Sequence, residues 1–243
     1  MTDQPNPPML RISPTAAELA TSVANELLDR VVVLQGEGRV PAIALTGGTI
    51  ADAIHAELAR LTPESGVDWS RVDIWWGDER YVTSDSPDRN AGQARIALLD
   101  HVDVDPARVH EMPDSSFGDL ESAATAYGDQ VRAYGSGEFD VVMLGLGPDG
   151  HVASLFPGYP QLDVDDRIAV AVTESPKPPP QRISLTFAAL NRTAAVWFLV
   201  SGEGKAAAVA SALAGGDPHE IPARGVHAPE TVWFLDQDAA SRL

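Results

Sequence analysis

Cysteine is absent from this chain of 243 residues. That absence excludes disulfides, thiolate catalysis and cysteine metal sites together, and it fits a reducing cytoplasm. Long hydrophobic runs are missing too. No stretch of about 18 apolar residues exists, so no membrane-spanning helix is expected. The opening MTDQPNPPMLRISP lacks the basic-then-apolar order of a secretion signal, so a cytoplasmic protein is expected. Basic residues are scarce, 17 Lys and Arg against 35 Asp and Glu, for a formal charge of −18. Such a surface repels nucleic acid and anionic lipid, so neither is an expected partner. An anionic metabolite is repelled at long range as well. A pocket for one must therefore gather several of the few bases, which makes the place of each Arg and Lys informative.

What is present is 44% hydrophobic residues, ample for one sizeable core. Strand-like and helix-like periods alternate along the chain. Thr15-x-x-Glu18 reads as a capping box, and Leu19, Val23 and Leu27 follow at four-residue steps, predicting a helix near 15–33. PAIALT (41–46) reads as a buried strand. Thr49 is placed to cap the next helix, whose apolar face is Ile50, Ile54, Leu58 and Leu61. VDIWW (72–76) is a strand, and a helix is expected near 90–100. Another near 118–134 carries Leu120, Ala124, Tyr127, Val131 and Tyr134. FDVVML (139–144), IAVAV (168–172), ISLTF (183–187), AVWFLV (195–200) and TVWFL (231–235) are strands, with a helix over 203–214. Short apolar strands between amphipathic helices predict an α/β fold. Its form is a single-domain, open, mostly parallel, Rossmann-like sheet over 1–243, with helices on both faces. The proline-rich SPKPPPQ (175–181) reads as a stiff loop within it. In such sheets ligands bind beyond the carboxyl ends of the strands, so chemistry is sought in the loops that follow them.

Four places qualify. In LTGGTI (45–50), Gly47 and Gly48 allow close backbone approach, and the free N–H groups of a helix start favour an anion; the alternative is an ordinary strand–helix turn. In WWGDERYV (75–82), an acidic pair, Asp78 and Glu79, beside Arg80 can accept sugar hydroxyls and receive an anion. The alternative there is a solvated charged loop. GLGPDGHVASLFPG (145–158) opens like a G-x-G-x-x-G dinucleotide clamp, but Pro157, Gly158 and Pro160 forbid the helix that the clamp needs. Its other reading is catalytic, with Asp149 holding one nitrogen of His151 while the other accepts a proton from water. Two such groups are too few to hold a metal, and Ser154 lies in no G-x-S-x-G elbow. The last place holds the remaining bases. Lys205 lies in SGEGKAAAV after strand 195–200, and Arg182 precedes strand 183–187. Arg182 reaches the same edge only if that strand runs antiparallel or its loop reaches across, and Lys177 is its substitute.

Taken in order, LTGGT, WWGDERYV, LGLGPDGHVASLFPG, PKPPPQRISLT and SGEGKA resemble the motif series of the 6-phosphogluconolactonases, relatives of the glucosamine-6-phosphate deaminases. The resemblance implies a cofactor-free esterase of the pentose phosphate pathway that hydrolyses 6-phospho-D-glucono-1,5-lactone, its small-molecule partner. It implies that Gly47, Gly48 and Thr49 hold the phosphate, with Arg182, Lys205 and Arg80 supplying charge. His151 would act as the base, Asp149 would orient it, and Asp78 would bind sugar hydroxyls. Backbone N–H groups around 147–151 are the expected oxyanion donors. Deaminases carry an acid where this chain has Phe156, an apolar ring that moves no proton. A deaminase, a sensor without turnover and a nicotinamide enzyme remain as alternatives, and a monomer and a homodimer are both compatible with the sequence.

Overall fold

The computed structural model describes residues 7–134 and 137–243. The first six residues of the opening stretch read above lie outside it. Six strands form one parallel sheet in the order β1-β9-β8-β5-β2-β3. They are β1 (Met9–Ser13), β2 (Ala42–Leu45), β3 (Asp73–Trp76), β5 (Phe139–Leu144), β8 (Thr193–Val200) and β9 (Glu230–Asp236). Each neighbouring pair runs parallel. Phe139–Leu144 is buried at every position, which is why its sequence is an unbroken apolar run rather than an alternating one. The strand Met9–Ser13 has no counterpart in the sequence reading. It pairs with β9 at the sheet edge and leaves Met9, Leu10 and Ile12 exposed, so it lacks the buried-strand pattern.

Five helices follow the expected positions with shifted ends, α1 (Ala16–Gly36), α2 (Thr49–Ser65), α3 (Asn90–Ala97), α4 (Leu120–Tyr134) and α6 (Ala206–Leu213), whereas the single turn α5 (Phe187–Leu190) has no counterpart in the sequence reading. Leu19, Val23 and Leu27 all face the core. Thr15 caps α1 by accepting the Glu18 N–H at 3.2 Å, but its hydroxyl takes up the Glu18 carboxylate that a full capping box would turn on the backbone. Tyr134, expected on the buried face of α4, ends the helix 67% exposed. Tyr127 is buried, and its hydroxyl donates to Trp76 O and accepts from Trp76 N, both at 3.0 Å. It thereby occupies the open edge of β3 where a further strand would pair.

Two expectations need correction. WWGDERYV is not a loop: Asp78–Arg80 forms a strand, β4. It leads a second, antiparallel sheet, β4-β7-β6, with β6 (Ala169–Val172) and β7 (Arg182–Leu185). Thus the strands expected at 168–172 and 183–187 form at 169–172 and 182–185, outside the parallel sheet, and Phe187 begins α5 instead. Their connection, 173–181, is short and proline-rich, whereas a parallel crossover needs about a dozen residues and usually a helix. Gly77 joins the two sheets. Its N–H donates to Leu45 O on β2 at 3.0 Å, and its carbonyl accepts from Leu185 N on β7 at 2.9 Å.

Candidate active site

The carboxyl ends of β2, β3, β5 and β8 open onto a cavity of about 280 Å³, with the second sheet closing one side. That volume suits a hexose phosphate and is too small for a dinucleotide. Its lining contains Gly47, Gly48, Asp78, Arg80, His151, Lys177, Arg182 and Lys205. Four of the chain's 17 Lys and Arg therefore line this one cavity, against a single acid, Asp78.

The glycine turn takes a form that the sequence only partly foretold. Gly48, not Thr49, is the N-cap of α2; its φ is +106°, and no side chain caps the helix. Thr49 is exposed and is not part of the lining, so its expected place in the anion seat is not seen. Gly48 adopts a backbone conformation that a Cβ disfavours, which aims the uncapped first-turn N–H groups at the carboxyl edge. Gly47 has a different constraint. A Cβ there would lie 1.8 Å from Asn90 Oδ1.

Asp78 and Glu79 do not act as a pair. Asp78 faces the cavity, and its Oδ2 accepts the Ser154 hydroxyl at 2.6 Å. Glu79 alternates to the opposite face of β4 and is 1% exposed. There it accepts the N–H groups of Arg80, Asn90 and Ala91 and lies 3.8 Å from the buried Arg89. Neither a sugar ligand nor a solvated charge, Glu79 caps the start of α3. Burial raises its pKa against the pull of Arg89.

The antiparallel register resolves the difficulty over Arg182. Arg80 and Arg182 are directly paired across β4 and β7. Like charges placed opposite one another repel unless an anion lies between them. Arg182 is 5% exposed, with its guanidinium donating to the carbonyls of Lys177, Pro178 and Pro179 at 3.1–3.3 Å. Burial pushes its pKa down; Asp78 opposes that, and the charge of Arg80 adds to it. Arg80 donates to Asp88 O at 2.8 Å and Asn90 Oδ1 at 2.5 Å, and Lys205 donates to Leu146 O at 2.7 Å. Among the described residues these three cations bond only to neutral oxygens, leaving their charge for a ligand.

After β5 the chain forms a tight turn rather than a helix, so the dinucleotide clamp is not formed. Gly147 N–H donates to His151 O and Gly150 N–H to Gly147 O, with Gly150 at φ +82°. His151 Nδ1 lies 2.5 Å from Asp149 Oδ1, and the ring packs on Phe156 with centroids 4.6 Å apart. Partial burial would raise the Asp149 pKa, but the hydrogen bond and charge of His151 outweigh it and bring it to about 2. An ionised carboxylate only accepts, so Nδ1 carries a proton, and in the neutral ring it is Nε2 that holds the lone pair. Gly147 must be glycine here, since a Cβ would lie 1.9 Å from Nδ1. Ala153, at φ +49°, is the one non-glycine with positive φ among the described residues, and it too lines the cavity. Such strain gathers where a site demands it.

The expected oxyanion donors are largely committed elsewhere. The N–H groups of Gly147, Gly150 and His151 bond within the turn, the last to Asp149 Oδ1 at 3.4 Å. Two further polar groups escaped the sequence reading. Asn90, lining the cavity, reads as one more polar residue at a helix start, and Ser154 as a failed nucleophile. Their roles come from partners distant in the chain. No group of three His, Cys, Asp or Glu able to hold a metal occurs among the described residues.

Residues 14–233 match the family profile described as glucosamine-6-phosphate isomerases/6-phosphogluconolactonase. A 6-phosphogluconolactonase of Mycobacterium leprae is 47% identical over 210 residues, covering 83% of this chain and 84% of its own. One of Streptomyces coelicolor is 43% identical over 93% of this chain and 90% of its own. The crystal structure of 6-phosphogluconolactonase from Thermotoga maritima superposes with a TM-score of 0.83 at 28% identity. It covers 94% of this chain and 99% of its own.

Proposed function

The chain belongs to the glucosamine-6-phosphate isomerase/6-phosphogluconolactonase family, and from that premise we propose that it hydrolyses 6-phospho-D-glucono-1,5-lactone to 6-phosphogluconate with His151 as general base. Its enzyme class is hydrolase, as for the relatives that carry the lactonase name. One observation carries the reading of the site: a carboxylate-oriented imidazole lines the same cavity as two arginines paired across strands.

In this reading the phosphate dianion settles between Arg80 and Arg182 and against the start of α2, with Lys177 and Lys205 adding charge. Asp78, its other oxygen held by Ser154, accepts sugar hydroxyls. His151 Nε2 takes a proton from water as the water oxygen bonds to the lactone carbonyl carbon. The imidazolium then returns that proton to the ring oxygen as the acyl C–O bond breaks. Asp149 stays ionised throughout and stabilises the charged ring. A placed base typically contributes about 10²–10⁴-fold, which suits an ester already activated by its ring. The same reading places the protein in the cytoplasm and in the oxidative pentose phosphate pathway.

The deaminase alternative is disfavoured by Phe156, which is 1% exposed and packed on the His151 ring where that chemistry needs an acid. The deciding assay generates the lactone with glucose-6-phosphate dehydrogenase and follows its disappearance. His151→Ala is expected to lower kcat at least about a hundredfold with an unchanged circular dichroism spectrum. Near-full activity in that variant removes His151 from the reaction.

A further inference from the structure

One neutral side chain joins three parts of the cavity. Asn90, the first residue of α3, is 2% exposed and lines the site. Its Oδ1 accepts from Arg80 Nη1 at 2.5 Å, and its Nδ2 donates to the backbone carbonyl of Asp78 at 2.9 Å. A guanidinium only donates and a carbonyl only accepts, so the amide has one possible orientation. The same amide oxygen rests against Gly47, where a Cβ would come within 1.8 Å of it. It is thus packed on the glycine turn, β4 and the Arg80 guanidinium at once.

We propose that Asn90 is a positioning residue that holds Arg80 toward the bound phosphate without adding a counter-charge to it. This rests on the reading of the cavity as a phosphate seat. The argument is one of charge allocation. Glu79 is turned to the start of α3 and Asp78 to Ser154, and Asp52 on α2, whose charge acts on Arg80, makes no hydrogen bond to it. A carboxylate at position 90 would keep the same shape and grip the same guanidinium, but as an internal counter-ion competing with the substrate. In a chain with 35 acids and 17 bases, a neutral acceptor there adds no further acid to those, Asp52 near Arg80 and Asp78 near Arg182, that already offset part of the Arg80–Arg182 repulsion.

The test measures 6-phosphogluconate affinity by calorimetry, KM and kcat on the lactone, and thermal midpoints. The proteins are the wild type, Asn90→Asp, Asn90→Ala and each of these variants combined with Arg80→Ala. Asn90→Asp is expected to weaken 6-phosphogluconate binding and raise KM by at least about tenfold, with a smaller fall in kcat. Asn90→Ala loses both hydrogen bonds, where aspartate keeps the one from Arg80, but it adds no charge, so its binding loss is smaller, about threefold. In the Arg80→Ala background the cost of Asn90→Asp shrinks to about twofold or less, because no guanidinium remains to neutralise.

A purely structural role predicts the reverse: alanine as harmful as aspartate, and an aspartate penalty that persists without Arg80. Either result overturns the proposal. Should Asn90→Asp fail to fold, Asn90→Ala decides, and an affinity loss in it that persists undiminished in the Arg80→Ala background sinks the idea. A wild type that binds 6-phosphogluconate without hydrolysing the lactone ends the lactonase reading and leaves Asn90 to be judged by binding. A wild type that does not bind it removes the seat and this proposal together.

Discussion

Lys205 illustrates how a single residue ties burial to ligand binding. Burial first, and the charge of Lys177 second, lower its pKa below the ordinary 10.5, against the pull of Asp149. The sign follows from linkage. While Lys205 is charged its burial costs stability, and that cost is relieved as pH rises through the lowered pKa. Over the same window the ligand-free site loses one of its cations. Phosphate binding is therefore expected to weaken as pH rises toward 10.5, with protons taken up on binding. Calorimetry of 6-phosphogluconate in buffers of different ionisation enthalpy reads both. Binding that is flat to pH 10.5 without proton uptake would separate Lys205 from the phosphate. His151, Asp149 and Lys205 stood out in the sequence because each interrupts a glycine-rich stretch after a strand, whereas Arg182 stood there only as an alternative to Lys177. Ser154 was not, since its partner, Asp78, is 76 positions away.

The elements place these groups, and β4 does most of this placing. Strand alternation turns Asp78 and Arg80 to the cavity and Glu79 away from it, where it neutralises Arg89 and caps α3. Breaking a buried pair by removing one partner typically costs about 3–5 kcal/mol. Glu79→Ala is therefore expected to lose about that much in urea unfolding, since Arg89, 2% exposed, keeps only the Glu111 carboxylate at 3.7 Å and the first N–H groups of α3 lose their acceptor. A loss under about 1 kcal/mol would show that the cap is dispensable. The sequence presents DER as three charges in a row, indistinguishable from a solvated loop. What separates them is the pairing of β4 with β7, a contact between segments about a hundred residues apart. Likewise Thr49 had the right chemistry to cap α2 but lies one residue too far along, because Gly48 can take a φ that threonine resists.

At the scale of the whole molecule, a surface of charge −18 encloses a cavity lined by four cations and one acid. A phosphorylated ligand offsets the repulsion among those cations, and the folded state gains in proportion. At a ligand concentration of about 100 Kd, binding adds roughly 2.7 kcal/mol to stability. For a domain of this size that is a rise in Tm of roughly 5–10 °C. The rise is expected with 6-phosphogluconate and not with unphosphorylated gluconate at the same concentration and ionic strength. Equal shifts by both would mean that the four cations do not discriminate the phosphate.

Local pattern alone determined the fold class, the parallel core and the small set of loops worth searching. Apolar runs, helical periods and glycine turns are properties of neighbouring residues. Tertiary structure alone decided which way β7 runs, that Arg80 and Arg182 stand opposite one another, and that a neutral amide rather than an acid meets Arg80. Those are pairings between distant segments, and no local period encodes them. They arise when the chain leaves the parallel sheet at Gly77 and a second sheet folds across its carboxyl edge.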